Sequence, residues 1–492
     1  MADHGPVRIT GNDLRCADIV ELSRDGAGRI ELDPAALERV RVACDLATHL
    51  STWGNVYGRT TGVGANRHVA VDPDRADEHG MRLLRSHAGG YGSLLPDASV
   101  RALMIIRLNQ LAAGGSGVQP DLVTGLDAAL RTDSLPQVHS HGRIGTGDLA
   151  ALAEVGLTLA GERPWATGGI DPVSIGSGDA LAFMSSNAAT LGEAVLAAAD
   201  LGRLLAAGRV VTALTYSALG GSPEAYADAV HRSRPHPGTL QCAAAMRRLL
   251  GNQDQQLPAR RLQDPFGLRT FPQVAGAAQD AWTSLQQILT IEVNAAAENP
   301  LIDSGTGRSY HHGQFATPHL AQALDHLRAA VDQVAQLSAA RLTNLTDPAL
   351  TELAPFLATG PAGSSGIMIL EYVTQDALAE LRHAAAPVTL GNAVISRGLE
   401  DNASFAPQAV RQTATVVRTY RTVLACELVG AIRALRLSGV ELPDAPVRTA
   451  YDRAVTVLSD NTDDRVLTPE IDQAERLLEP FADLEAGEVA GR

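Results

Sequence analysis

The stretch from Leu320 to Leu337 most constrains what this chain can fold into. Leu320, Leu324, Leu327, Val331, Val334 and Leu337 follow one another at steps of 4, 3, 4, 3 and 3. That spacing lines one face of a long amphipathic helix. The segments 273–298, 364–386 and 404–436 read the same way and are rich in Ala, Gly and Ser, which permit close helix–helix approach. From about residue 179 onward the pattern is mostly helical, and the absence of β-α-β alternation argues against a Rossmann or TIM architecture. The predicted fold is mostly α, with a long central helical bundle over 206–492 and a smaller, loop-rich N-terminal part over 1–205.

That N-terminal part is mixed. Val7-Arg8-Ile9-Thr10 and Arg29-Ile30-Glu31-Leu32 are β-like pieces. Helices are predicted at 34–52, with Pro34 near the first turn, and at 73–89, 97–114 and 148–161. A glycine-rich loop spans 57–64 and a loop-rich zone covers 131–148. A chain of 492 residues buries a large core without disulfides. Its four cysteines, Cys16, Cys44, Cys242 and Cys426, lie far apart and form no zinc-site pattern, which suits a reducing cytoplasm. The opening Met1-Ala2-Asp3-His4-Gly5-Pro6 lacks the basic-then-apolar order of a signal peptide, and no run of 18 apolar residues marks a membrane span.

Charge narrows the function. With 40 basic and 55 acidic residues the net charge is −15, against the basic face that nucleic acid or an anionic membrane requires. Every basic residue is arginine; the sequence contains no lysine. That excludes pyridoxal-phosphate Schiff bases, lysine-dependent aldolases, Walker A loops and protein kinases. Standard motifs are also missing. Gly62-Val63-Gly64 lacks the third glycine of a dinucleotide loop, and adjacent His311-His312 cannot both face one metal on regular structure, so no metal site is expected. What remains is a set of separated loops. Gly142-Arg143-Ile144-Gly145-Thr146-Gly147-Asp148 runs into a helix, with Asp148 where an N-cap is expected. Gln263-Asp264-Pro265-Phe266-Gly267-Leu268-Arg269, Glu298-Asn299-Pro300-Leu301 and Leu399-Glu400-Asp401-Asn402 complete the set.

Together these loops resemble the aromatic amino acid lyase family: the histidine, phenylalanine and tyrosine ammonia-lyases and related aminomutases. Tyr57-Gly58-Arg59-Thr60-Thr61-Gly62-Val63-Gly64 is similar to the family's Tyr-Gly-x-Asn-Thr-Gly-Phe-Gly loop, and Leu84 to Gly90 to its Leu-x-x-Ser-His-x-x-Gly segment. Arg107-Leu108-Asn109-Gln110, Gln263-Asp264, Arg269, Asn299-Pro300-Leu301 and Glu400-Asp401 follow in family order. The resemblance implies a mostly α homotetramer whose active sites are assembled from several subunits around a small-molecule substrate. It also implies a methylidene-imidazolone electrophile made from Ala-Ser-Gly, and elimination of ammonia with a loop tyrosine removing the β-proton. On that pattern Tyr57 is the base, Glu400 a second ionisable group, and Arg269 the carboxylate anchor. His87, Gln263, Phe266, Asn299, Phe315 and Ser185 surround the substrate.

The chain departs from the family where the electrophile should form. Where the family reads Gly-x-Val-Gly-Ala-Ser-Gly-Asp, Gly145-Thr146-Gly147-Asp148 is one residue short if Ile144-Gly145 match Val-Gly; alternatively, Gly145-Thr146-Gly147 replaces the triad. The family's Asn falls on Ser185, its Tyr on Phe266, which has no donor, and its Asn-Phe-His-Gly on Gln314-Phe315-Ala316-Thr317. Three readings follow. One is an enzyme without the usual prosthetic group, running base-driven elimination, isomerisation or cyclisation on a carboxylate-bearing substrate. The second is an ammonia-lyase or aminomutase with a variant group from Gly145-Thr146-Gly147. The third is a catalytically silent homologue. The first requires the Tyr57 pKa to be lowered from about 10, with surrounding arginines as the expected cause.

Overall fold

The structure is a computed structural model that describes residues 5–26, 29–251 and 260–487. The opening residues Met1 to His4 lie outside the described residues. By contacts the chain forms two discontinuous units, one of residues 1–199, 285–324 and 387–410, the other of 200–284, 325–386 and 411–492. This replaces the single boundary expected at 205. Helices Ala188–Leu219, Phe271–Glu292, Pro318–Thr346 and Ala406–Ser438 each have residues in both units, so no one cut in the sequence separates them.

In the first unit, strands Val7–Ile9 and Ile30–Leu32 pair in parallel. The helix Pro34–Trp53 begins as predicted, with the Asp33 carboxylate accepting from Ala35 N at 2.7 Å. The helix Asp97–Ala112 is buried on nearly all sides from Ser99 onward: Leu103, Met104, Ile105, Ile106 and Leu108 are fully buried. Arg107 sits in the middle of this helix and pairs with buried Glu298 at 2.8 Å, its Nε donating to the Phe183 carbonyl at 3.0 Å. A charge so buried needs a partner, and this one fixes the residue preceding Asn299. Strands Leu301–Asp303 and Arg308–Tyr310 form an antiparallel hairpin with Leu301 opposite Tyr310.

The second unit is helical. The stripe on Pro318–Thr346 is buried at Leu320 and Leu324, which belong to the first unit, and at Leu327, Val331 and Val334 in the second, while Leu337 is half-buried. Its polar centre is Glu427. Arg341 donates to both carboxylate oxygens, at 2.6 and 2.7 Å, and Thr215 and Ser338 donate at 2.7 and 2.5 Å. Arg341 Nη1 also donates to the Gly267 carbonyl at 3.1 Å, tying this cluster to the short helix Phe266–Arg269. Among the described residues no helix is long and apolar enough to cross a membrane.

Candidate active site

A cavity of about 550 Å³ opens within the first unit. It brings together six of the residues singled out in the sequence: Tyr57, Thr146, Ser185, Asn299, Phe315 and Glu400. Tyr57 is half-buried, and its hydroxyl accepts the Gly64 N–H at 2.7 Å. Gly64 has φ +57°, and a Cβ there would stand 2.7 Å from Ser396 Oγ, so glycine is required where the loop folds back. Ser396 Oγ in turn accepts the Ala65 N–H at 3.1 Å. Burial pushes the Tyr57 pKa upward and Glu400 adds to the rise; the Gly64 N–H and Arg67 oppose it. The expected lowering by surrounding arginines is thus corrected, because Arg67 is the arginine acting on the hydroxyl and burial outweighs it.

The segment 142–148 is held from both ends. Gln408 Nε2 donates to the Arg143 carbonyl at 3.2 Å, Phe405 N to Ile144 at 2.9 Å and Ser404 Oγ to Gly145 at 3.1 Å. Buried Arg143 pairs with Glu193 at 2.8 Å. Asp148 precedes helix Leu149–Leu159 as expected but makes no cap bond. Its buried carboxylate accepts from Thr190 N at 2.7 Å and Thr190 Oγ1 at 2.8 Å instead, and burial raises its pKa. Gly145 has φ +89°, and a Cβ there would overlap the Ser404 hydroxyl and stand 3.1 Å from Phe405 N. An alanine, the first residue of the family triad, does not fit at 145. With Thr146 alone between Gly145 and Gly147, the residues present do not match the group as the family builds it.

The wall opposite is a polar relay of backbone and side chain. Ser185 Oγ accepts the Asn299 N–H at 3.0 Å, and Asn299 Oδ1 accepts the His312 N–H at 3.1 Å. Asn187, two residues past the position expected for the family's Asn, donates through Nδ2 to the Phe315 carbonyl. It supports the wall rather than lining it.

Sequence reasoning missed Arg67, His68 and His311, all of which line the cavity. The first two lie just beyond the matched loop, and His311 was weighed only as a metal ligand. Among the described residues no group of three or more His, Cys, Asp or Glu side chains is placed to hold a metal.

Other expected residues lie elsewhere. His87 does not line the cavity; its Nδ1 is 2.9 Å from the Leu83 carbonyl, at the end of its own helix. Gln263, Phe266 and Arg269 belong to the second unit. Arg269 stacks over the Phe266 ring at 4.6 Å and donates to the Asp264 backbone carbonyl at 3.3 Å, not to its carboxylate. Phe266 is 62% exposed.

Comparison with known proteins bears on the whole chain. A family model described as aromatic amino acid lyase matches residues 14–456. A histidine ammonia-lyase of Treponema denticola is 31% identical over 486 residues, 95% of this chain and 96% of the relative. One from Streptomyces coelicolor is 33% identical over 485 residues, 94% of each. Among solved structures, a tyrosine aminomutase from Streptomyces globisporus superposes with TM-score 0.91 at 25% identity over 99% of both chains. An ergothionase from Treponema denticola has the same fold, with TM-score 0.91 at 24% identity over 97% of this chain and 99% of that one.

Proposed function

The chain belongs to the aromatic amino acid lyase family, and from that premise we propose that it eliminates an amine from an amino-acid-derived carboxylate without a methylidene-imidazolone. The family relationship makes it a lyase acting on amino acid substrates. The observation that carries the finer reading is the triad site: Thr146 stands alone on the cavity wall, and Ser404 occupies the space a residue-145 side chain needs. Ser185 and Phe266 stand where the family's Asn and Tyr would assist the group.

Without that electrophile the chemistry is base-driven. A proton leaves the carbon next to the amine-bearing carbon, the C–H pair becomes the new π bond, and the C–N pair departs with the amine. Tyr57 is the proton-transfer residue and Glu400 the second ionisable group. A quaternary α-ammonium suits the scheme, because it keeps its charge at every pH and departs as a neutral amine. Ring closure or isomerisation uses the same first step. Arg269 binds the carboxylate in a fork geometry. It is brought to the cavity of a neighbouring copy in a homotetramer, stacked on the exposed Phe266 ring. The four unpaired cysteines suit the cytoplasm.

A second reading, cyclisation of Gly145-Thr146-Gly147, is favoured by the Ser404 hydroxyl on the Gly145 carbonyl, the carbonyl that such a reaction would attack. It is also favoured by relatives that carry the name histidine ammonia-lyase. Intact-protein mass separates the two. The uncyclised peptide gives the mass of the plain sequence, whereas a deficit of two waters would overturn the first reading.

The carboxylate anchor has its own test. Arg269→Ala removes charge-assisted hydrogen bonds, each typically contributing about 1.5–3 kcal/mol, so KM is expected to rise roughly ten- to hundredfold in steady-state kinetics. Unchanged KM and kcat would place the anchor elsewhere.

A further inference from the structure

Tyr57 as base meets a difficulty that the cavity itself resolves. A half-buried phenol whose pKa is pushed up by burial is a poor proton acceptor on its own. His311 stands against it: the two rings meet edge to face, with centroids 6.4 Å apart and planes at 86°. Both line the same cavity.

Three features set His311 apart from an ordinary surface histidine. It directly follows strand Arg308–Tyr310, and the next residue is pinned through its N–H to Asn299, so the backbone that carries it is fixed on both sides. Its ring nitrogens make no hydrogen bond to the described residues, whereas the neighbouring His312 Nδ1 accepts from Gln314 N at 3.1 Å. It is also exposed on the cavity side of the wall formed by Asn299 and Phe315, where substrate would enter.

We propose that His311 is the proton acceptor behind Tyr57: as the Tyr57 oxygen takes the proton from the substrate carbon, the His311 ring turns to bring an imidazole nitrogen to the hydroxyl, and the phenolic proton passes to it. This rests on the elimination reading above. The balance closes. The C–H pair becomes the π bond, the C–N pair leaves with the amine, the phenol is whole before and after, and one proton ends on the imidazole. From there it passes to the departing amine or to solvent. A phenol that gains one proton as it loses another never accumulates as phenolate, so a raised pKa no longer opposes the step. The Gly64 N–H, directed at the same oxygen, stabilises the charge it bears in transit. A neutral imidazole has one ring nitrogen with a free lone pair, which suits it to receive and release this proton.

The test uses the full-length protein with four probes: L-histidine, L-phenylalanine, L-tyrosine and Nα-trimethyl-L-histidine. Elimination is followed by absorbance of the conjugated acrylate. His311→Gln is expected to lower kcat about a hundredfold while KM stays within roughly threefold. Wild-type kcat should fall as pH drops, because a protonated imidazole accepts nothing, and this acid limb should vanish in His311→Gln. The other groups facing His311 are Tyr57, Arg67, His68 and Glu400. His68→Gln is the control that keeps the limb. Added imidazole should restore part of the rate to His311→Ala. Three results overturn the assignment. One is a His311→Gln kcat near wild type. Another is a lowered rate with the acid limb intact and no imidazole rescue, which marks a structural role. The third is a wild-type protein that consumes none of the four probes, in which case the elimination reading falls first and His311 with it.

Discussion

Tyr57→Phe is expected to lower kcat by about 10²–10⁴-fold, the usual contribution of a positioned acid–base group. The substitution keeps the ring, and with it the edge contact to His311, and removes the oxygen through which the proton passes. The Gly64 N–H loses its acceptor, but the loop keeps the bond from Ala65 N to Ser396 Oγ. Circular dichroism and the denaturation midpoint should therefore stay near wild type while turnover collapses. In the proposed role Tyr57 acts on the transition state more than on the bound substrate, so KM should change little. Turnover within a few-fold of wild type would move the proton transfer to Glu400, the other ionisable group across the cavity.

The second large effect is on stability, in the helical unit. Arg341→Met leaves the Glu427 carboxylate buried with only the Thr215 and Ser338 hydroxyls as donors. Breaking one side of a buried ion pair typically costs about 3–5 kcal/mol, because the remaining charge has neither water nor counter-charge. The midpoint of chemical denaturation, measured at one protein concentration, should fall accordingly. Arg341→Met combined with Glu427→Met should recover most of the loss, since an apolar pair of similar volume leaves no buried charge. A single variant as stable as wild type would show that the pair is not the anchor of this unit. The single variant should also weaken the carboxylate anchor proposed at Arg269. Arg341 Nη1 holds the Gly267 carbonyl inside the turn that carries Arg269, so its loss should raise KM as well as lower stability.

Much of this fold is legible in the sequence because helices announce themselves locally. The 3.6-residue rhythm at 320–337 and Pro34 after Asp33 each need only near neighbours. The division into units is not local. It depends on long helices whose residues are shared between units, and a linear reading places one boundary where the structure has several. The same distinction governs the site. Tyr57, Ser185, Asn299, Phe315 and Glu400 come from separated loops and were found because a recurring pattern names them. Arg67, His68 and His311 belong to no pattern, and only coordinates place them on the wall. Asp148 failed as a cap for a related reason. Its carboxylate is claimed by Thr190, 42 positions away. The Tyr57 pKa failed because counting arginines in a sequence says nothing about which one faces the hydroxyl.

The packing at Gly145 also bears on how this chain can change. Where Gly145-Thr146-Gly147 stands for the family triad, matching it requires an alanine at 145 and a serine at 146; where Ile144-Gly145 match Val-Gly, it requires an inserted residue instead. The alanine collides with Ser404 unless that residue also shrinks, and Ser404 is bonded to the very carbonyl it would have to release. An alanine at 145 alone therefore gives a less well packed protein. Position 145 and Ser404 are thus coupled, and a side chain at the one requires a coordinated change at the other, more than 250 positions along the chain.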